Sequence, residues 1–218
     1  MGRRFILTLG FHEDRAIRRL MESSASRDDE IFVVTASRAP AALAAFNSLA
    51  GFCRRVGLPE PKLVEVPPRL YEGVAVLAEL IGGSPGPVVL DLSGGMRYLA
   101  VLGILALFLT GRRAAVYVQP ESEGEELAIP EAVINLAYEP LQDLELSVMR
   151  VVAERGGLTV EEVAEAVGRS PKTVANAVSR LQKLGLVARR GRAGGVYLTE
   201  VGRLALRLEG ARGVRRSS

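Results

Sequence analysis

The sequence predicts an α/β fold in two domains: a mostly parallel sheet covered by helices, followed by a smaller α+β domain of helices and a hairpin. Two observations support this. Apolar, strand-length runs alternate with helical patterns over the first 140 residues. Charge also divides there: residues 1–140 carry 14 Lys and Arg against 17 Asp and Glu, whereas residues 141–218 carry 14 against 8. The net charges of −3 and +6 indicate a basic module attached to an acidic one.

The N-terminal part of the sequence is predicted to form five strands and four intervening helices. The predicted strands are 4–10, 30–37, 61–67, 87–93 and 114–120, and the predicted helices are 13–23, 39–56, 69–83 and 96–109. Strands that are apolar throughout are typical of a parallel, Rossmann-like sheet with helices on both faces. In the first helix, Ile17, Leu20 and Met21 form the predicted buried face. Residues 127–136 predict one or two further short strands.

Common cofactor and catalytic signatures are absent from the sequence. A single glycine follows the first strand, so a standard NAD or FAD site is not expected, and no P-loop motif occurs. One cysteine, Cys53, and one histidine, His12, cannot form the usual zinc site within one chain, and no nucleophile elbow surrounds His12. We expect Cys53 in the core. We expect no cofactor, no metal and no catalytic residue.

Targeting signals are also absent. The N terminus lacks the pattern of a signal peptide, and no apolar run reaches the roughly 20 residues that span a bilayer. The sequence therefore predicts a soluble, cytoplasmic protein with no membrane partner.

The segment LDLSGGMRYL, residues 90–99, ends the fourth strand in a glycine turn. Glycines allow close approach to the backbone, and the free N–H groups of a first helical turn form an anion site. Arg97 falls in that turn, where the helix dipole disfavours a cation by roughly 0.3–1 kcal/mol. A bound phosphate would reverse this effect through bidentate hydrogen bonds. The alternative is a tight turn in which Arg97 pairs with a carboxylate such as Asp91; we favour the anion site.

Other polar residues follow neighbouring strands of the predicted sheet. Ligands of such sheets bind beyond the carboxyl ends of the strands. His12 follows the first strand, and Ser37 and Arg38 follow the second, so topology places all three at the same rim as the glycine turn. Taken alone, His12 is more typical of a solvated loop. Its position at the rim makes it a candidate ligand contact.

The C-terminal part predicts three helices, a hairpin and a closing helix. Their ranges are 140–157, 159–168, 170–185, 186–199 and 200–210. Thr159 and Glu162 predict a capping box, and Ser170 with Pro171 predicts the start of the third helix. Three helices followed by a hairpin with a basic tip make a winged helix-turn-helix.

The third helix of such a module enters the major groove, and its wing contacts phosphates or the minor groove. The candidate DNA contacts are Ser170, Lys172, Thr173, Asn176, Arg180 and Lys183 on the helix, and Arg189, Arg190 and Arg192 on the hairpin. The alternative is a winged helix that contacts another protein. The net charge of +6 favours DNA.

A Rossmann-like domain with TLGFHED after its first strand and DLSGGMR after its fourth, joined to a winged helix, resembles the CRISPR-associated Rossmann fold (CARF) transcriptional regulators of archaea. The resemblance covers nearly the whole chain. It implies a ligand-sensing domain over residues 1–138 and a DNA-binding domain over residues 139–218. The ligand residues that it implies are Leu9, Gly10, Phe11, His12, Ser93, Gly94, Gly95, Met96 and Arg97.

The resemblance further implies a homodimer through the N-terminal domain and a cyclic oligoadenylate ligand, in particular cyclic tetra-adenylate. The helix after Arg97 is apolar nearly all round, which suits burial between subunits. We expect a regulator of CRISPR-Cas genes in antiviral defence, whose ligand changes DNA affinity by linkage. Two alternatives stay open: a metabolic regulator that senses a phosphorylated metabolite, and a slow, metal-independent nuclease of the cyclic ligand. No lysine lies near Arg97 to support cleavage, so we expect no enzyme.

Overall fold

The computed structural model describes residues 2–120, 124–190 and 194–216, with side chains described up to residue 209. The chain divides into two compact units, Met1–Ile134 and Asn135–Ser218. Each unit is described by itself below.

Over residues 2–120 and 124–134, the first unit contains a six-stranded sheet. Its strands are β1 (Arg4–Thr8), β2 (Glu30–Thr35), β3 (Lys62–Glu65), β4 (Val88–Asp91), β5 (Ala114–Val118) and β6 (Leu127–Ile129). They lie in the order β3-β2-β1-β4-β5-β6. The first five run parallel, and β6 runs antiparallel to β5. This sheet confirms the predicted mostly parallel, Rossmann-like fold.

Helices connect the parallel strands. They are α1 (Asp14–Glu22), α2 (Pro40–Val56), α3 (Leu70–Gly82) and α4 (Arg97–Thr110), followed after β6 by α5 (Glu131–Asn135). The strand order reverses between β1 and β4, because the chain adds β2 and β3 on one side of β1 and then crosses to the other. In open α/β sheets, such a switch point leaves a crevice at the carboxyl ends of the two strands.

The core lies around β1, which is buried along its whole length. Phe5, Ile6 and Leu7 are fully buried because β1 has a strand on each side and helices cover the sheet. Cys53 in α2 is also fully buried, as predicted. Burial raises the pKa of its thiol, so this side chain behaves as a small apolar group.

Two details of the first unit differ from the predictions. The segment 127–136 forms a strand only as far as Ile129, and a short helix follows Pro130. Met21, predicted to be buried, is 58% exposed, whereas Arg19 on the same helix is only 4% exposed. Burial of Arg19 is stabilised by an ion pair with Asp91 at 2.8 Å and by the ring of Tyr117, whose centroid lies 3.7 Å from the guanidinium carbon.

Over residues 135–190 and 194–216, the second unit contains four helices and one hairpin. They are α6 (Asp143–Arg155), α7 (Val160–Val167), α8 (Pro171–Lys183), β7 (Val187–Arg189), β8 (Val196–Leu198) and α9 (Glu200–Arg216). The antiparallel pairing of β7 with β8 completes the predicted winged helix-turn-helix. Its core includes Val148, Val163 and Leu181, one from each of the first three helices.

The predicted starts of α7 and α8 are confirmed, whereas α6 begins at Asp143 instead of residue 140. At α7, the Thr159 hydroxyl accepts a hydrogen bond from the Glu162 N–H, and the Glu162 carboxylate accepts one from the Thr159 N–H. The hydrogen bonds that the Glu162 carboxylate accepts from the N–H and the hydroxyl of Thr159 lower its pKa. At α8, the Ser170 hydroxyl accepts from the Thr173 N–H at 3.2 Å. Each cap satisfies an N–H group that the helix itself leaves unpaired.

In the part of the chain that the structure describes, no helix combines the length and apolar character needed to cross a membrane.

Candidate functional site

A cavity of about 560 Å³ lies at the carboxyl end of the parallel sheet, where the strand order reverses. Its walls come from the turns after β1, β2 and β4 and from the starts of α1 and α2. The lining residues are Leu9, Gly10, Phe11, His12, Arg15, Thr35, Ala36, Ser37, Ala42, Ser93, Gly94, Gly95 and Met96. A volume in the range of roughly 300–1,000 Å³ is typical of small-molecule sites.

Nine of the eleven ligand residues predicted from sequence line this one cavity; Arg38 and Arg97 are the two that do not. Arg38 is exposed, with its Nε 3.6 Å from a carboxylate oxygen of Glu65. Arg97 is exposed at the first position of α4. The structure therefore places both predicted arginines outside the cavity wall.

The glycines of the cavity hold the turns after β1 and β4 against each other. A Cβ on Gly94 would lie 2.3 Å from the Thr8 carbonyl oxygen, and one on Gly10 would lie 3.1 Å from the Gly95 nitrogen. Gly95 also has a φ of +73°, which a side chain disfavours. The Gly94 N–H donates to the Thr8 hydroxyl at 3.1 Å. The two motifs thus form a single packed assembly.

Ser93 anchors the turn after β4. Its N–H donates to Asp91 at 2.9 Å, and its hydroxyl oxygen accepts from the Gln119 N–H at 2.9 Å. Its carbonyl oxygen accepts from Nη1 of Arg15 at 2.5 Å. Three elements, β4, β5 and α1, therefore fix this one residue at the cavity wall.

The Asp91 carboxylate accepts hydrogen bonds from two neighbouring elements. One oxygen accepts from Nε of Arg19 at 2.8 Å, and the other accepts from the Ser93 N–H. Asp91 therefore compensates the buried Arg19 and orients the glycine turn.

The N terminus of α4 opens at this cavity. Its N-cap residue, Met96, lines the cavity, and the N-cap makes no side-chain hydrogen bond to the helix. A helix start without a side-chain cap keeps N–H groups available for an outside acceptor.

Arg15 is the charged residue among the cavity residues that the sequence motifs did not indicate. It lies three residues after His12, on the first turn of α1, and its Nη2 donates to the Pro120 carbonyl oxygen at 3.3 Å. Its position could have been predicted from the sequence, because a residue in the first turn of a helix that follows a rim loop lies near that rim. Thr35, Ala36 and Ala42 also line the cavity beyond the predicted set.

In the second unit, most predicted DNA contacts are exposed. Exposed residues of α8 and its N-cap are Ser170, Lys172, Thr173, Asn176 and Lys183. Arg189 and Arg190 are exposed on the hairpin, where the Arg190 guanidinium carbon lies 5.0 Å from the centroid of the Tyr197 ring. Arg192 lies outside the described residues.

Arg180, a predicted DNA contact, forms ion pairs within the second unit. Its Nη1 lies 2.6 Å from both carboxylate oxygens of Glu145, and its Nη2 lies 3.5 Å from Glu139. Glu145 on α6 is only 2% exposed. The hydrogen bond to Glu145 raises the pKa of Arg180. Arg180 thus ties α8 to α6 within the unit, and its contact with DNA stays a prediction.

Comparisons with known proteins match both units. The family described as Csa3 CRISPR-associated Rossmann-like domain matches residues 3–130, and the family HVO_A0114 matches residues 141–199. The "CRISPR locus-related putative DNA-binding protein Csa3" of Saccharolobus solfataricus is 27% identical over 207 residues, which cover 94% of this chain and 87% of that protein. The protein of the same name from Thermoproteus tenax is 30% identical over 195 residues, 85% of each chain.

Other similarities are confined to shorter segments. The HTH-type transcriptional repressor NsrR of Streptomyces coelicolor is 52% identical over 61 residues, which cover 26% of this chain and 41% of that protein. The crystal structure of the PcaV transcriptional regulator of the same species is 32% identical, covers 35% of this chain and 58% of that one, and has a TM-score of 0.33. The first of these family models matches more than half of the sequence, and the two Csa3 relatives align with nearly all of it. The chain therefore belongs to the Csa3 family of CRISPR-associated proteins.

Proposed function

We propose that this protein is a ligand-responsive transcriptional regulator of CRISPR-Cas genes. It binds a cyclic oligoadenylate in the N-terminal domain, residues 1–138, and DNA through the winged helix, residues 139–218. The observation that carries this proposal is the single cavity formed by both motif turns at the switch point of the sheet. Its site of action is the cytoplasm, since its target is DNA.

The cavity suits a ligand with phosphate groups and aromatic bases. The start of α4 has no side-chain cap, and backbone N–H groups at such a helix start bind phosphate oxygens. Leu9, Phe11 and Met96 supply apolar surface for a base. A cyclic tetra-adenylate is two-fold symmetric, so each cavity of a two-fold dimer holds two of its four nucleotides.

Dimerisation through α4 would bring two such cavities together. Val101, Leu105 and Phe108 are exposed at intervals of four and three residues, so they lie along one face of the helix. Contiguous exposed apolar side chains are typical of interaction surfaces. Because α4 also begins at the cavity, a second subunit that binds this face would lie next to the ligand.

The accessible face of α8 supports the proposed DNA contact. Lys172 and Asn176 lie one turn apart near the N terminus of the helix, where recognition helices contact base edges. Lys183 at the far end and Arg189 and Arg190 on the hairpin suit phosphates. Relatives named as CRISPR-locus DNA-binding proteins further support this assignment.

Calorimetric titration of the purified chain tests the ligand. The panel is cyclic tri-, tetra- and hexa-adenylate, with linear tetra-adenylate as the control. We expect one cyclic tetra-adenylate bound per dimer, weaker binding of the linear form, and intact ligand recovered after incubation. No heat and no shift in melting temperature with any cyclic ligand would refute the assignment. Recovery of linear products would instead identify a nuclease.

A further inference from the structure

One cationic side chain in the cavity comes from outside both motifs. Arg15 projects from the first turn of α1 and lines the cavity between the turn after β4 and the end of β5. The other lining residues are apolar or small, apart from His12, Thr35, Ser37 and Ser93. Arg15 is therefore the cationic residue among those that line the cavity.

The hydrogen bonds of Arg15 go to neutral backbone acceptors. Nη1 donates to the Ser93 carbonyl oxygen and Nη2 to the Pro120 carbonyl oxygen, and both acceptors are neutral. Within residues 2–120 and 124–190, Arg15 forms no ion pair. A guanidinium has five N–H donors, so these two bonds leave three for another acceptor.

Arg19, one turn further along α1, provides the contrast. It is buried, and its charge is compensated by Asp91 at 2.8 Å and by Glu126. Its guanidinium also lies over the Tyr117 ring. The two arginines therefore have different environments: carboxylates surround Arg19, whereas Arg15 has carbonyl partners and an open cavity.

We propose that Arg15 is a ligand-binding residue that donates hydrogen bonds to a phosphodiester group in this cavity. The inference rests on the proposed function because it takes the cavity as the ligand site. The carbonyl oxygens of Ser93 and Pro120 hold the guanidinium in place before a ligand arrives. Such preorganisation reduces the entropic cost of binding. Arg15, rather than Arg97, then supplies the charge on the cavity wall.

The test compares Arg15→Gln and Arg15→Lys with the wild type by calorimetric titration. The probes are cyclic tetra-adenylate and inorganic pyrophosphate. Arg18→Gln is the matched control, because Arg18 is an exposed neighbour on α1 whose Nε pairs with Glu22 at 2.7 Å. We expect Arg15→Gln to weaken binding about tenfold or more, since charge-assisted bidentate bonds are lost. Lys keeps the charge without the fork, so a smaller loss is expected, and Arg18→Gln should bind like the wild type.

The outcomes separate this inference from the proposed function. A wild type that binds cyclic tetra-adenylate, with Arg15→Gln unchanged, would overturn the role of Arg15 alone. Binding of pyrophosphate only, weakened in Arg15→Gln, would support Arg15 and overturn the oligoadenylate assignment. A wild type that binds neither probe would overturn both. If Arg15→Gln does not fold, Arg15→Lys decides: affinity equal to the wild type contradicts the bidentate contact.

Discussion

At the scale of single residues, close backbone contacts explain why particular glycines occupy the cavity wall. Gly94 has no room for a side chain, because a Cβ there would lie 2.3 Å from the Thr8 carbonyl oxygen. Gly51 in α2 is different, since the nearest atom to its Cβ would be the mobile end of Arg55 at 3.7 Å. Substitution of alanine at Gly94 can therefore be compared with the same substitution at Gly51 as a control within one domain.

We expect Gly94→Ala to destabilise the first unit by about 1–3 kcal/mol, because the added methyl group forces β1 and the turn after β4 apart. Gly51→Ala should be neutral or stabilise the unit by about 0.4–1 kcal/mol, since alanine restricts the unfolded chain and fits a helix. Hydrogen exchange of the β1 and β4 amides measures both effects. Equal protection in the two variants would contradict the contact at Gly94.

Asp29 provides a pH prediction at the same scale. Burial raises its pKa, but hydrogen bonds from the Arg3 side chain, the Arg3 N–H and the Ser26 N–H outweigh burial, and the pKa lies below 3.8. A lowered pKa in the folded state means that the charged carboxylate stabilises the fold above about pH 3.8. This stabilisation is lost as the pH falls through the folded-state pKa.

Asp29→Asn should therefore cost about 1–2 kcal/mol at pH 7, where bonds to a charged acceptor are lost, and less at pH 3. Asp28→Asn is the control, because Asp28 is an exposed neighbour. Hydrogen exchange of β1 and β2 amides at the two pH values measures the difference. A cost that does not change with pH would show that the Asp29 charge is not involved.

At the scale of elements, local patterns predicted the helices, strands and rim turns, but not the partners of charged side chains. The motif turns follow apolar strands directly, so their meeting at one rim follows from parallel topology. Hydrophobic periodicity assigned Met21 to the buried face of α1 and made no prediction for Arg19. The partners that bury Arg19, Asp91 and Glu126, are 72 and 107 residues away, and no local pattern contains them.

The ion pair of Arg180 was not predicted for the same reason, because its partner Glu145 is 35 residues away on α6. Arg180→Gln should lower the stability of the packing of α8 on α6 by about 1–3 kcal/mol, because buried Glu145 loses its charged partner. Lys183→Gln is the matched control on α8, and it should leave the protection of the α8 amides unchanged. It should instead lower DNA affinity and reduce the slope of log K against log salt concentration by about one. Hydrogen exchange and DNA titrations at several salt concentrations distinguish the two. An Arg180→Gln variant with wild-type protection and weakened DNA binding would support the predicted contact of Arg180 with DNA.

At the scale of the whole molecule, the proposed regulator contains two binding sites in separate units, so its response must be a coupling free energy between them. Linkage makes that coupling reciprocal: the factor by which ligand changes DNA affinity equals the factor by which DNA changes ligand affinity.

We expect saturating cyclic tetra-adenylate to change operator affinity by about 5–150-fold, the usual range of such coupling. Saturating operator DNA should change ligand affinity by the same factor. Fluorescence anisotropy with labelled DNA gives the first factor and calorimetry gives the second, with a scrambled duplex as the control. Unequal factors would be inconsistent with a single closed cycle of two ligands and one protein.

The contact between Thr8 and Gly94 also sets a rule for recombining this domain with its relatives. The two residues are 86 positions apart, yet their backbones meet with no space for a methyl group. A chimaera that takes the first motif from one parent and the second from another must inherit a compatible pair at these positions. Grafting the site onto a different sheet likewise requires moving both turns together. The proposed ligand site of this chain thus consists of two distant segments, and neither loop forms it alone.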